Sequence, residues 1–489
     1  MPANHHASLT ATGLTSGASQ NSTHSGLPAP PSVPLLLALS SLGSVLAPLN
    51  STMVAIALPD IRAEFSLSHA AVAWLVSGYL IAMAVAQPIG GRLGDQVGRE
   101  RVYRAGLIAF LVFSVAAALA PTFLALVVLR IAQAVSGAIL IPNGTAMLRT
   151  EAPRNQLGRL NGINGSGISV AAAVGPLLGA AVLEVGSWRW MFPLSIPIVL
   201  LALLLLRRLH IGEESRSIRT PIDWLGMALF VSLLVVVTLQ LSAIRDGEGG
   251  AMVTARWIAA VVVAAAFAWR QRASSSPAAD WRLFRSRSFS GATAYVLLTN
   301  FAMYTTVLMI PFFIRDVQGK GSLTAGLLLA AMSVLFAITS PLGGRVADSR
   351  GRRLPSQLGG LMMTAGALAL LAGLQSDVSG IYLAGCLALL GVGLGLGTGA
   401  ATTAAVESAP PRLAGAAAGT SSMMRYIGSI VGAGILAGVL SNSSAVHAGV
   451  GTFRVLALAI ACTAAVGFVA AGFIHRRPPS HPGLGRPSH

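Results

Sequence analysis

Long apolar runs separated by short polar joints occupy the chain from residue 33 to residue 474. A helix needs roughly 20 apolar residues to cross about 30 Å of hydrocarbon, and that length predicts fourteen spans. The first six run near 33–58, 69–92, 103–121, 123–146, 158–184 and 190–207. Two more follow near 222–244 and 253–270, and six others near 289–313, 323–345, 354–375, 380–405, 413–440 and 452–474. Residues 1–32, rich in Ser, Thr, Ala, Gly, Pro and His, hold too little apolar surface to offset the entropy of ordering. They read as a disordered tail, neither signal nor transit peptide, and residues 475–489 as a second tail. His5 and His6 lie in the first tail as an isolated pair.

The polar joints carry the orientation. Every second joint is rich in arginine, as with Arg92, Arg99, Arg101 and Arg104, then Arg149, Arg154 and Arg159, then Arg207, Arg208, Arg216 and Arg219. The joints after the eighth, tenth and twelfth spans continue the series, from Arg270 through Arg287, from Arg345 through Arg353, and at Arg412. The alternate joints and span ends offer only Arg62, Arg189, Arg245, Arg256, Arg315, Lys320 and Arg454. Short cytoplasmic loops concentrate basic residues, so both termini are predicted to be cytoplasmic in a multi-pass membrane protein.

One joint occurs twice. Gly91-Arg92-Leu93-Gly94-Asp95-Gln96-Val97-Gly98-Arg99-Glu100-Arg101 returns as Gly344-Arg345-Val346-Ala347-Asp348-Ser349-Arg350-Gly351-Arg352-Arg353, 253 positions later. Each copy follows the second span of a six-span block, which marks an internal repeat. The spacing leaves two extra spans in the middle. The predicted organisation is a bundle at 33–207, connectors and two added helices at 208–288, and a second bundle at 289–474.

Composition narrows the function. With 54% hydrophobic and 10% charged residues, the chain belongs in a bilayer rather than around one soluble core. The formal charge of +17, all of it arginine except Lys320, sits in short clusters between spans. A nucleic-acid surface needs a continuous basic face, so the lipid bilayer is the expected partner. Cys386 and Cys462 fall in apolar runs, which excludes a disulfide framework or a Cys-based zinc site. No helical zinc motif, nucleophile elbow, phosphate-binding loop or dense carboxylate cluster appears. Neither enzymatic chemistry nor a cofactor is predicted, and active transport would be secondary or depend on a partner. Gly391, Gly393, Gly395, Gly397 and Gly399 lie inside an apolar span with no preceding strand, so they read as packing positions rather than a dinucleotide loop.

These motifs resemble the major facilitator superfamily, specifically its fourteen-helix drug:proton antiporters. The resemblance implies an all-α membrane fold of two six-helix bundles with two inserted linker helices, and a small-molecule substrate carried by alternating access. It makes Gly91, Arg92, Asp95, Gly98, Arg99 and Arg101 a gating loop that latches the cytoplasmic side in the outward-facing state, with Gly344, Asp348, Gly351 and Arg352 as its second copy. Gly91 and Gly98 are expected to permit a tight turn, and Asp95 to face a helix N-terminus or an arginine. Leu129-Arg130-Ile131-Ala132-Gln133 is similar to the family's Arg-x-x-Gln-Gly element with Ala134 in place of the glycine, and the resemblance gives Arg130 a part in proton transfer. Arg130 and Gln133 share a helix face; an arginine snorkelling to the outer surface is the alternative. Gly167 and Gly175-Pro176-Leu177-Leu178-Gly179 resemble the antiporter motif associated with exporters. Trp188-Arg189-Trp190-Met191-Phe192 and Asp223-Trp224-Leu225-Gly226 are similar to fourteen-helix members.

The first span departs from the family. In Leu49-Asn50-Ser51-Thr52, Asn50 stands where the family has an acid, and an amide does not exchange a proton near neutral pH. The other acids fall toward span ends, Asp60 and Glu407 lying nearest the interior. Arg425 lies within the thirteenth span. Asn50, Arg130, Gln133 and Arg425 are therefore the candidate coupling and cavity residues, with protons a partner by resemblance only. Two arginines without a mid-depth acid predict a preference for neutral or anionic over cationic substrates. The reading is an exporter of drugs or secondary metabolites; the alternatives are an uncoupled facilitator or porter and a non-transporting sensor.

Overall fold

The computed structural model describes residues 33–151, 153, 157–209, 223–242, 250–274, 281–410, 413–441 and 449–475. The segments 1–32 and 476–489, and the joints holding Arg154, Arg216, Arg219, Arg245 and Arg412, lie outside the described residues.

Fourteen long helices are present and no strand occurs among the described residues. They are α1 (Val33–Glu64), α2 (His69–Val97), α3 (Arg99–Ala118), α4 (Phe123–Glu151), α5 (Leu157–Val185), α6 (Ile196–Arg208) and α7 (Trp224–Ser242). The remainder are α8 (Gly250–Ala273), α9 (Arg287–Phe312), α10 (Ser322–Arg350), α11 (Arg353–Gly373), α12 (Gly380–Glu407), α13 (Ala414–Ser441) and α14 (Val450–Ala471). Helix is obligatory for such sequences in lipid, because every backbone polar group must find its partner inside the segment. α6 is shorter than the others because two 3-10 turns, Trp188–Met191 and Pro193–Ser195, take up the start of the sixth span; Pro197 stands in the first turn of α6, where its missing N–H leaves no bond unmade.

The helices form two six-helix bundles, α1–α6 and α9–α14, with the same internal pairings. α1 packs on α5 as α9 packs on α13, and α2 on α4 as α10 on α12. Two contacts join the bundles most broadly, α5 with α10 and α13 with α2, and each is the other's counterpart after the repeat offset. α7 pairs with α8 and lies against α13 and α2, beside that joint. α8 is largely exposed, presenting Trp257, Ile258, Val261 and Val262 outward.

Association in lipid depends on close packing more than on a hydrophobic drive, so small residues set the contacts. Four alternating glycines of α12, Gly391, Gly393, Gly395 and Gly397, show this, whereas the β-position of Gly399 meets nothing within 4 Å. A β-carbon at Gly391 would stand 2.0 Å from the Met332 carbonyl oxygen of α10, and one at Gly393 would stand 2.5 Å from the Gly359 oxygen of α11. Alternate glycines thus seat α12 on two neighbours at once. In α13, Gly428 and Gly432 meet α9 in the same way.

Candidate functional site

The two repeated loops sit at one end of the bundle, termed here the motif end. Their glycines play different parts. Gly98 ends α2 with φ +109°, and Gly351 ends α10 with φ +88°, a region costly for any side chain. Gly91 instead lies within α2, against Pro142, and Gly344 within α10 with nothing within 4 Å of its β-position. The tight turn therefore belongs to Gly98, and the expectation for Gly91 is corrected: its carbon lies in the last turns of a continuing helix. Gly94 makes the closest approach, where a β-carbon would fall 1.7 Å from Asn143 Oδ1. Asn143 donates from Nδ2 to the Gly90 carbonyl at 2.9 Å and so ties α4 to α2.

Asp95 accepts from Arg99 at 3.1 and 3.2 Å, and Arg99 also donates to Thr150 Oγ1 at 3.4 Å. The second copy repeats this with an extra acid: Arg352 pairs with Asp348 at 2.5 Å and with both oxygens of Glu407 at 2.9 and 3.2 Å. The Glu407 carboxylate raises the guanidinium's hold on its proton above the ordinary arginine value, against partial burial. Arg92 and Arg101 flank these pairs within α2 and α3. Outside the spans at this end, Asp223 is held below the usual carboxylate range. Burial opposes that direction, but the Gly226 amide at 2.9 Å, Arg270 at 2.9 Å and Ser274 outweigh it. A β-carbon at Gly226 would meet Asp223 Oδ2 at 2.6 Å, which explains the Asp-x-x-Gly spacing.

At the opposite, far end the bundles are tied to each other. Arg62 of α1 donates to Asp316 at 3.3 Å, and His69 of α2 meets the other Asp316 oxygen at 3.3 Å. Arg315 in turn reaches back to Asp60, which also accepts from Ser322 at 3.3 Å. Arg62 and Arg315 are equivalent positions, 253 apart, so the latch is reciprocal. Beneath it, Met53–Ile61 and Val307–Ile314 contribute to one continuous buried cluster. Helix α5 packs on α1 toward the same end: at Gly175 and Gly179 β-carbons would strike Thr52 Oγ1 and the Met53 carbonyl oxygen. Pro176 and Ala180 meet Gly326 of α10. Gly167 makes only an ordinary approach to Val45. Trp188 and Arg189 both donate to Glu64 at 2.6 Å, fixing the end of α1.

Between these ends lies a polar cluster drawn from both bundles. Arg130 is buried, 1% exposed, with its guanidinium 4.1 Å from the Tyr79 ring centroid and 5.7 Å from that of Phe192. It does not snorkel. Nη1 donates to Gln133 at 2.7 Å, and Gln133 donates to Ser114 at 2.7 Å. Arg130 Nε and Nη2, Asn50 Oδ1 and Arg425 Nε are buried without a hydrogen-bond partner among the described residues. Asn50 donates from Nδ2 to the Leu46 carbonyl at 3.2 Å. Across the bundle boundary Ser51 and Tyr304 share a hydrogen bond of 3.1 Å, and Gln87 donates to the Tyr426 hydroxyl at 2.7 Å. The Tyr304 hydroxyl lies within electrostatic range of both Arg130 and Arg425. Asp60 and Glu407, nearest the interior in sequence, belong instead to the ion pairs at the two ends.

The sequence pointed to Arg130, Gln133, Asn50 and Arg425, but not to Tyr79, Tyr304, Tyr426, Gln87 or Asn143. The repeat offset was the available signal for one of these contacts: Ser51 and Tyr304 are 253 positions apart, equivalent residues that meet across the pseudo-twofold boundary.

The comparisons agree with this geometry. Residues 40–433 match the profile of the Major Facilitator Superfamily. The uncharacterized MFS-type transporter YvkA of Bacillus subtilis is 32% identical over 401 residues, 82% of this chain and 89% of that protein. The tetracenomycin C resistance and export protein of Streptomyces glaucescens is 30% identical over 365 residues, 74% of this chain and 67% of that one. Among solved structures, a D-xylose-proton symporter superposes with a TM-score of 0.64 at 15% identity, covering 91% of this chain and 98% of that one, a likeness of fold alone. The chain belongs to the Major Facilitator Superfamily and is a multi-pass membrane transporter, not an enzyme.

Proposed function

We propose that this transporter is a secondary exporter of amphipathic small molecules in a bacterial cytoplasmic membrane, with the motif end and both termini on the cytoplasmic side. The observation that carries the reading is the arrangement of ties between the bundles. A reciprocal latch of Arg62, Asp316, Arg315 and Asp60 closes one end, and a polar cluster spans both bundles at mid-depth. Breaking the latch and rocking one bundle against the other would present that cluster to the far side. The resemblance of Gly175-Pro176-Leu177-Leu178-Gly179 to an exporter motif and the similarity to a protein named for tetracenomycin C resistance and export support the outward direction, and the positive-inside pattern supports a cytoplasmic motif end.

Two readings of the driving force follow from the acids. Proton coupling is favoured by the family resemblance, with the gating loops and Arg130 in the roles that resemblance implies. Uncoupled transport is favoured by Asn50, which leaves the central cluster without a carboxylate among the described residues. Flux in proteoliposomes, with and without an imposed pH gradient, separates them. Uphill flux that vanishes with the gradient establishes coupling; equal flux in both conditions establishes a facilitator. An Asn50→Asp variant with strengthened pH dependence would place the lost coupling site in α1.

A further inference from the structure

The central cluster holds two guanidiniums and three phenol groups, with no acid from either bundle among the described residues. Arg130 belongs to the first bundle and Arg425 to the second, and the Tyr304 hydroxyl lies within electrostatic range of both. A buried guanidinium without an anionic partner is costly. Here Arg130 finds one neutral acceptor, Gln133, and two aromatic faces, leaving Nε and Nη2 without partners. Arg425 is half-buried, with its Nε likewise unpartnered. Buried donors left open in a native structure call for an explanation.

We infer that the missing acid is supplied by the substrate: the transported molecule carries an oxyanion, a carboxylate or its equivalent, which docks at the bundle boundary on Arg425 with Arg130 behind it. The inference rests on the transporter reading and names its substrate class. Guanidinium donors matched to an oxyanion give the strongest hydrogen bonds a site of this kind provides. The half-buried Tyr304 and Tyr426 at the bundle boundary add hydroxyls beside ring faces suited to an aromatic or otherwise flat apolar body, while the buried Tyr79 ring holds Arg130 in place. Because one arginine belongs to each bundle, the bound anion draws together two halves whose charges otherwise repel. Occupancy thereby biases the relative position of the bundles, as a ligand with different contacts in two states must.

The test uses the full-length protein in proteoliposomes and three compounds of matched shape: 2-naphthoate, 2-naphthamide and 2-naphthylmethylammonium. Equilibrium binding is measured for wild type, Arg425→Gln, Arg425→Lys and Tyr304→Phe. Naphthoate is expected to bind at least about ten-fold tighter than either analogue, the value of one charge-assisted hydrogen bond. Arg425→Gln should abolish that advantage and Arg425→Lys retain part of it. Tyr304→Phe, which keeps the ring and its packing, should reduce naphthoate affinity several-fold and leave the ammonium compound unchanged. Absent naphthoate binding, an equal or better affinity for the amide or ammonium, or an advantage that survives Arg425→Gln overturns the proposal. Flux of whichever compound binds best is measured in the same vesicles. Selective naphthoate binding without flux of any compound overturns the proposed export of such molecules and leaves the anion site; flux of the ammonium compound without naphthoate binding does the reverse.

Discussion

Replacing Asp316 by Asn should open the far end of the molecule. The carboxylate is 9% exposed and accepts from Arg62 and His69, both in the other bundle, at 3.3 Å each. A charge-assisted hydrogen bond contributes about 1.5–3 kcal/mol, and an exposed ion pair about 0–1 kcal/mol. Arg62 is 24% exposed and turns readily toward water, so a value between the two ranges applies, about 1–2 kcal/mol for the latch arm. That shifts the ratio of open to closed molecules by a factor of about 5–30. The assay is the distance between spin labels at Val185→Cys and Lys320→Cys, with Cys386 and Cys462 replaced by Ala. Val185 is 88% exposed, and the neighbouring pair Glu184 and Gly321 spans the gap, Glu184 Oε1 lying 3.9 Å from the Gly321 β-position. Wild type should show one short distance, and Asp316→Asn should add a longer population. Arg62→Gln should act in the same direction, and the double variant should add little to either single change, since both remove one interaction. A distance distribution unchanged in Asp316→Asn, or fully additive effects of the two substitutions, would refute the latch.

The turn glycines give a paired prediction: Gly98→Ala, at φ +109°, should lower thermal stability by about 1–3 kcal/mol of strain, whereas Gly344→Ala, helical and unobstructed, should match or exceed wild type in the same melting assay. Asp223 gives the pH dependence. Its folded-state affinity for a proton is depressed, so its contribution to docking α7 on α8 is present above the ordinary carboxylate range and lost as pH falls through the lower, folded value. Proteolytic protection of the segment between the bundles should decline over that acid range in wild type, and Asp223→Asn should show the decline already absent and protection low at neutral pH. Glu407→Gln should reduce the melting temperature by freeing Arg352, yet leave any dependence of flux on the pH gradient intact, because Glu407 belongs to an ion pair at the motif end. Loss of that dependence would return Glu407 to the candidates for coupling.

The span count and the all-helical fold were legible because lipid admits few solutions: a run of some 20 apolar residues has one way to satisfy its backbone. Of the positive-φ glycines Gly98 was legible, expected at a turn, and Gly351 holds the same place in the second copy, an acid three positions earlier and an arginine next; Gly319 carried no such signal. Gly91 was misplaced for a physical reason. Glycine in a short polar joint reads as a turn, but α2 continues to Val97 and carries the whole first half of the motif inside the helix. For Arg130 the sequence left burial and snorkelling open; the aromatic faces of Tyr79 and Phe192 decide between them, and neither lies within 50 residues of it in the chain. Gln87 and Tyr426 are 339 positions apart, and nothing in the periodicity of either span sets their common depth. Helical hydropathy fixes that a segment crosses, not which residues of distant segments share a level.

Duplication explains why the ties between bundles take the form they do. A repeat folded about a pseudo-twofold axis brings equivalent positions face to face wherever a helix approaches that axis, as Ser51 and Tyr304 show. The same symmetry makes each bridging arginine one of a pair, Arg62 reaching Asp316 and Arg315 reaching Asp60. It also makes the α5–α10 contact the counterpart of α13–α2. The ion pairs of the repeated loops differ in kind: Asp95 with Arg99, and Arg352 with Asp348 and Glu407, stay within their own bundles. Under the proposed alternating access those pairs would travel with the bundle as it rocks and stiffen its end, while the far-end pairs would break. A transport cycle on this framework therefore does its electrostatic work at two places. In the proposed cycle one is the reciprocal latch, which would open once per cycle, and the other is the pair of central arginines, whose mutual repulsion a bound anion would relieve.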